Sequence, residues 1–348
     1  MQGGIEIAGL SPVVIPVFVP NMGCPHRCIF CDQSQFSAPV PPEDIPAYVD
    51  TFLAHCKEPE SRRRVLAFYG GSFTGIGPGL LGRYLEAASS LLSENRIHGA
   101  KASTRPDLVS RSILDDLKKA GFVELELGIQ SMDDRVLLAS GRGHTASDAV
   151  LAASLVKESG MKLGIQIMPG LPGEDVASFR HTVEAVACLG PDNARVYPAV
   201  VLSGTKLEEL YARGAYQPLA QEDAVARSLF ALVRLESIGG CSMLRMGLPP
   251  SAGLKVTAGP YHPAFGFLVR SHGYRIMARR IMDVLGSGCE LSVHPRDLPE
   301  LLGYRRKTVS DLRFHYSFDE KQPRGYLKGR AARESSCIQL RDILEYIL

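Results

Sequence analysis

The chain has 348 residues, of which 45% are hydrophobic and 22% charged, and its formal net charge is +2. This composition excludes a disordered chain, and a charge so near zero leaves any nucleic-acid affinity to a local patch. No apolar run reaches the roughly 20 residues that a membrane-spanning helix needs. The longest near the start, residues 13–20, has no basic segment with a cleavage site before it, so a cytoplasmic protein without a membrane partner is expected.

In chain order, apolar runs alternate with amphipathic stretches. Strands are predicted at Val13–Val19, 65–69, Ala100–Thr104, 123–129, 163–168 and 195–201, with helices at 113–120, 147–159 and Val176–Leu189 between them. Six βα repeats are too few for a closed eight-stranded barrel and suit a partial (β/α)6 TIM-like barrel of the α/β class, with polar residues at the carboxyl ends of its strands. A further helix is predicted at 222–237, and residues 239–259 are rich in glycine and proline. The barrel domain is therefore expected to cover 1–215, and a C-terminal α+β extension, 216–348, to form a cap facing the substrate.

Three of the eight cysteines, Cys24, Cys28 and Cys31, share one short loop after the first strand, while Cys56, Cys188, Cys241, Cys289 and Cys337 are scattered. This is no disulfide framework, and the scattered five read as small hydrophobes. A 4Fe-4S cluster takes four ligands, so three thiolates leave one iron open to an outside ligand. S-adenosylmethionine (SAM) can fill that place through its amino and carboxylate groups. The competing zinc site needs a fourth protein ligand, with His26 and Asp32 as candidates, and the second CxxC pair usual for zinc is missing.

The CxxxCxxC spacing, with Phe30 just before the last cysteine, resembles the signature of the radical SAM superfamily. Tyr69-Gly70-Gly71-Ser72-Phe73 resembles that family's glycine-rich turn after the second strand, which receives the amino group of SAM. Glycine suits such a turn because a backbone without Cβ lets ligand atoms approach closely. Phe30, Gly70, Gly71 and Ser72 are thereby implied cofactor contacts. Further segments follow in order: Ser103-Thr104-Arg105-Pro106-Asp107, Glu126-Leu127-Gly128-Ile129-Gln130-Ser131, Arg142-Gly143-His144-Thr145 and Met168-Pro169-Gly170-Leu171-Pro172-Gly173. Together they resemble the catalytic subunit of Elongator, whose radical SAM core acts on the tRNA wobble uridine, and the likeness runs over roughly residues 13–280. A looser likeness to oxygen-independent coproporphyrinogen oxidase places Arg105, Gln130, Arg142 and Gln166 at positions that contact SAM there, although positions 105 and 166 are acidic in that enzyme. The Elongator subunit also has a basic amino-terminal extension and an acetyltransferase domain. Here the cluster loop starts at residue 24 and about eighty residues follow Phe265, so neither is expected.

The resemblance implies an enzyme in which the reduced cluster passes one electron to SAM, giving methionine and a 5′-deoxyadenosyl radical that takes hydrogen from a second substrate. It also implies an electron donor such as flavodoxin or ferredoxin. Tyr197, Tyr261 and His262 lie in further matching segments and are candidate substrate contacts, beside a packing role for each. Glu126 alternates with Gly128 and Gln130 and shares their strand face. Residues 304–333 hold nine lysines and arginines against three acidic residues, interleaved with Tyr304, Phe314, Tyr316, Phe318 and Tyr326. Such a stretch binds single-stranded RNA by phosphate contacts and stacking, or forms a solvated face. Three functions stay open: modification of tRNA, a radical reaction on a small metabolite or peptide, and a cluster-bearing sensor without turnover. No DNA partner is expected.

Overall fold

A computed structural model describes residues 11–35, 38–251, 253–331 and 334–348. The chain divides into two units, the first made of the described residues up to Gln166 with Leu202–Glu209 and Ser251–Lys255, the second of the rest.

In the first unit β1 (Val13–Val19) alternates buried and half-exposed positions, as a strand built from Val, Ile and Phe should when one face meets the core. Helix α1 (Ile45–Ala54) leads to β2 (Arg64–Gly70), which pairs with β1 in parallel from Val13 opposite Arg64 to Val19 opposite Gly70. Then come α2 (Pro78–Ser93), the fully buried β3 (Ala100–Thr104), and α3 (Arg111–Lys119), which starts where Ser110 Oγ accepts from the Ile113 N–H. Strand β4 (Phe122–Gln130) is followed by α4 (Asp134–Ala139) and α5 (Ala146–Glu158), and Thr145 with Asp148 closes a capping box at the start of α5. With β5 (Lys162–Ile167) the strands of this unit follow chain order, β1-β2-β3-β4-β5.

Phe68 of β2 stacks on Phe73 at 4.4 Å and on Phe122 at 5.8 Å, with Tyr84 of α2 edge-on at 5.7 Å. All four rings are buried. Phe68→Ala is expected to destabilise the protein by about 3–5 kcal/mol, read from the midpoint of urea unfolding, because the surrounding rings cannot collapse into the space.

In the second unit α6 (Val176–Leu189) opens on an Asp175–Ser178 capping box and leads to β6 (Asn193–Val196). The strand predicted over 195–201 stops at Val196 because Pro198 has no N–H to give a ladder, and Val201–Leu202 forms a separate short strand, β7. Helix α7 (Lys206–Ala212), whose residues up to Glu209 belong to the first unit, and α8 (Gln221–Ser237) follow. Strand β8 (Ser242–Met246) then pairs in parallel with β6, inside a stretch whose glycines and prolines gave no strand signal. Beyond β9 (Val256–Ala258) the long α9 (Phe265–Leu285) begins the C-terminal α+β part. It continues with β10 (Glu290–Val293), α10 (Leu298–Leu302), α11 (Lys307–Leu312), β11 (His315–Phe318), β12 (Tyr326–Ala331) and β13 (Glu334–Gln339). The sheet order is β11-β10-β12-β13. Buried Asp297 ties this part together, accepting from Tyr274 Oη at 2.7 Å and from the Gly325 N–H at 2.8 Å. Among the described residues no helix is long and apolar enough to cross a membrane.

Candidate active site

The cysteine loop has almost no secondary structure of its own, so its backbone groups must find partners elsewhere. At its amino end the Val19 carbonyl accepts from the N–H groups of Met22 and Gly71, and the Met22 carbonyl accepts from Ser72 N–H at 2.7 Å. Two glycines make that approach possible. A Cβ on Gly71 would lie 2.1 Å from the Met22 oxygen, and one on Gly23, whose φ is +69°, would lie 2.2 Å from the Ser72 oxygen. At its other end the Ile29 N–H donates to Ser140 O at 3.2 Å, the Leu207 N–H donates to Ile29 O at 2.8 Å, and the His26 ring lies against Gly143. The loop is thus clamped between the turn after β2 and the segment after α4.

Within this clamp Cys24 Sγ lies 3.3 Å from Ser72 Oγ, and Arg142 Nη1 donates to Cys28 Sγ at 3.1 Å while its Nη2 donates to Gly128 O at 2.6 Å. Phe30, Ser72 and Arg142 are buried. Burial pushes the Cys31 thiol up to about 12, with Cys28 and Cys24 adding to the rise and Arg142 opposing it. A thiolate there therefore needs strong positive charge beside it, which ligated iron supplies. Among the described residues no three His, Cys, Asp or Glu side chains are gathered into a preformed single-ion site. Cys24, Cys28 and Cys31 are all free thiols at half-buried positions of one loop, the donor type that an iron-sulfur cluster takes.

The carboxyl ends of β3, β4 and β5 supply the polar groups. Gln130 ends β4 with φ +70°, a left-handed conformation rare for a residue with a Cβ, and its buried Oε1 has no protein partner. Such outliers cluster at functional sites. Glu126 Oε1 accepts from Ser103 Oγ at 2.7 Å and from Gln166 Nε2, linking β3, β4 and β5. Arg105 is buried and holds Asp107 through Nε at 2.9 Å and Nη2 at 3.0 Å. His144, buried, reaches Ile129 O through Nε2 at 3.2 Å, which requires the proton on Nε2 and leaves Nδ1 an acceptor without a protein partner. Burial, with the charges of Arg142 and Arg105 acting in the same direction, lowers His144 to about 4.

Because the folded value lies below the ordinary 6.5, the unfolded chain takes up this proton first, and stability falls as pH drops from about 6.5 to about 4. His144→Gln, which keeps a donor but does not titrate, is expected to remove on the order of 3 kcal/mol of that acid sensitivity, measured as urea midpoints at about pH 7 and about pH 4.5.

The structure brings Cys24 to Ser72, Cys28 to Arg142, and Gln166 to Glu126. Tyr197, Tyr261 and His262 belong to the second unit. The Tyr197 N–H donates to Ile167 O at 3.0 Å, the Tyr261 N–H to Gly259 O at 2.9 Å, and His262 packs edge-on to Tyr304 with ring centroids 5.2 Å apart. Sequence reasoning did not single out Gly23, Ser103 or His144. Gly23 adjoins a noted motif and Ser103 and His144 each lie in one, and that was their one signal.

The radical SAM superfamily pattern matches residues 18–186, and a radical SAM C-terminal domain pattern matches residues 191–275. The chain belongs to the radical SAM superfamily: it is an enzyme with the partial-barrel fold of that family, and its cofactors are a 4Fe-4S cluster and SAM. The zinc and sensor readings fall with that result. Over 136 residues the chain is 33% identical to the tRNA uridine(34) acetyltransferase of Methanocaldococcus jannaschii, covering 38% of this chain and 25% of that one. An uncharacterized protein of the same organism is 30% identical over 229 residues, 61% of this chain and 68% of its own length. Among solved structures, the Methanocaldococcus infernus Elp3 with an N-terminal deletion shares the fold with a TM-score of 0.59 at 22% identity, over 77% of this chain and 63% of that one. The match thus spans about a quarter of the length of the M. jannaschii acetyltransferase.

Proposed function

We propose that this enzyme uses SAM radical chemistry to modify tRNA at a uridine. The observation that carries this reading is the 33% identity to a tRNA uridine(34) acetyltransferase. Cys24, Cys28 and Cys31 would hold the cluster, which when bound supplies the electron that splits SAM and so yields a hydrogen-abstracting 5′-deoxyadenosyl radical. Arg142 places a guanidinium on Cys28 Sγ. Gln130 Oε1 and His144 Nδ1 are buried acceptors that suit the N–H and O–H groups of a nucleoside, since a buried polar atom costs free energy until it is paired. Gly70, Gly71 and Ser72 would meet the amino group of SAM, with Arg105 and Gln166 holding the polar strand ends around it. A radical SAM enzyme needs a reductant, and flavodoxin or ferredoxin fits that role.

The test is incubation of the reduced, cluster-loaded enzyme with SAM and total tRNA, followed by nucleoside mass spectrometry. A new or shifted uridine-derived nucleoside that requires both SAM and reductant is the expected result. Unchanged nucleosides from unmodified tRNA, under conditions where SAM is consumed, would turn the reading toward a small metabolite or peptide.

A further inference from the structure

The segment after residue 275 lies outside both matched family patterns, and it carries three adjacent cations, Arg305, Arg306 and Lys307. Tyr304, Arg305, Arg306 and Lys307 are consecutive and exposed, Tyr304 at 42%. Among the described residues no carboxylate pairs with Arg305, Arg306 or Lys307, and nearby Asp311 is taken by Arg275 at 2.7 Å. Arg305 and Arg306 are both left-handed, with φ of +53° and +59°, a conformation that residues with a Cβ rarely adopt once and seldom twice in succession. The chain holds it through Arg306 N–H donating to Gly303 O at 2.9 Å and Arg306 Nη2 donating to Tyr316 Oη at 3.3 Å. Strain of this kind persists where the surroundings fix it, and here it presents adjacent cations to solvent.

The aromatic groups are arranged as well. The Arg305 guanidinium stands 5.4 Å from the Tyr304 ring centroid, and His262 packs edge-on against the same ring. A planar guanidinium over a half-exposed tyrosine, braced from the side by a histidine, is a stacking platform, and flanking cations that lack carboxylate partners fit phosphates.

We propose that Tyr304, Arg305, Arg306 and Lys307, braced by His262, form a binding surface for single-stranded RNA. A base stacks on the Tyr304–Arg305 platform, and Arg306 and Lys307 hold the neighbouring phosphates. The proposal rests on the reading of an RNA substrate and adds a second place on the chain where that RNA is held.

Fluorescence anisotropy with a labelled single-stranded RNA of mixed sequence, and with unmodified tRNA, tests it on the cluster-loaded enzyme across a salt series. Tyr304→Ala is expected to weaken binding about tenfold, and Tyr304→Phe, which keeps the ring, to restore it. The double variant Arg306→Gln with Lys307→Gln is expected to lower the slope of log affinity against log salt by about 1.4, at about 0.7 for each lost phosphate contact on a single strand. Lys57→Gln with Arg83→Gln removes the same charge elsewhere and should leave the slope in place. Wild-type affinity and slope in both the Tyr304→Ala and the Arg306→Gln with Lys307→Gln proteins would overturn the proposal while leaving the RNA reading intact. A wild-type enzyme that binds no RNA would overturn the reading and the proposal together.

Discussion

Cys28→Ala protein, reconstituted anaerobically with iron and sulfide, is expected to hold almost no 4Fe-4S cluster and to form no 5′-deoxyadenosine from SAM. The chain offers three clustered thiols, and losing one leaves two irons without a protein ligand. The same substitution removes the sulfur on which Arg142 Nη1 rests, so a buried guanidinium loses a partner and the contact between the β4–α4 side and the loop is weakened. Iron and sulfide content, together with the visible absorption of the cluster, reads the first effect, and chromatography of the nucleoside product reads the second. Retention of a full cluster by this variant would show that another residue ligates it.

Gly71→Ala is expected to be nearly as damaging, although residue 71 carries no side chain to lose. Its Cβ would meet the Met22 oxygen at 2.1 Å, Met22 N at 2.6 Å and the Val19 oxygen at 2.7 Å, all backbone atoms that no rotamer change can move. The loop must shift away from the turn, breaking the paired bonds from Met22 and Gly71 to Val19 O. A loss above about 4 kcal/mol in stability and a several-fold loss in cluster loading are expected, the scale reserved for a disrupted core or backbone contact. Gly77→Ala is the control, because nothing lies within 4 Å of its Cβ position. If Gly71→Ala melts and loads like Gly77→Ala, the glycine turn does not set the cluster loop.

The glycine turn also shows how far the sequence reached. Family resemblance marked Gly70-Gly71 as expected contacts for SAM, and the structure adds a local role that no pattern carries: the turn and the cysteine loop touch backbone to backbone. Strands β1 and β3 begin and end where predicted, β1 because its run of valine, isoleucine and phenylalanine leaves no polar position to confuse the signal. Strand β8 was hidden because it exposes half its residues and follows two glycines. The Ser103–Glu126–Gln166 link joins three strands by cross-strand register, and the left-handed Gln130 depends on the turn out of β4, so neither is written in local spacing. His144 was legible as part of a motif, but its unpaired Nδ1 emerges only once Ile129 O is placed against Nε2. His262 and Tyr304 were noted separately and lie 42 residues apart in sequence, and tertiary packing makes them neighbours.

The most direct measurement is the yield of 5′-deoxyadenosine when the wild-type enzyme, loaded with its cluster and reduced with dithionite, is given SAM with and without unmodified tRNA. The account predicts that 5′-deoxyadenosine forms and that tRNA raises its rate. A fully loaded, SAM-binding enzyme that forms none in either condition would contradict it.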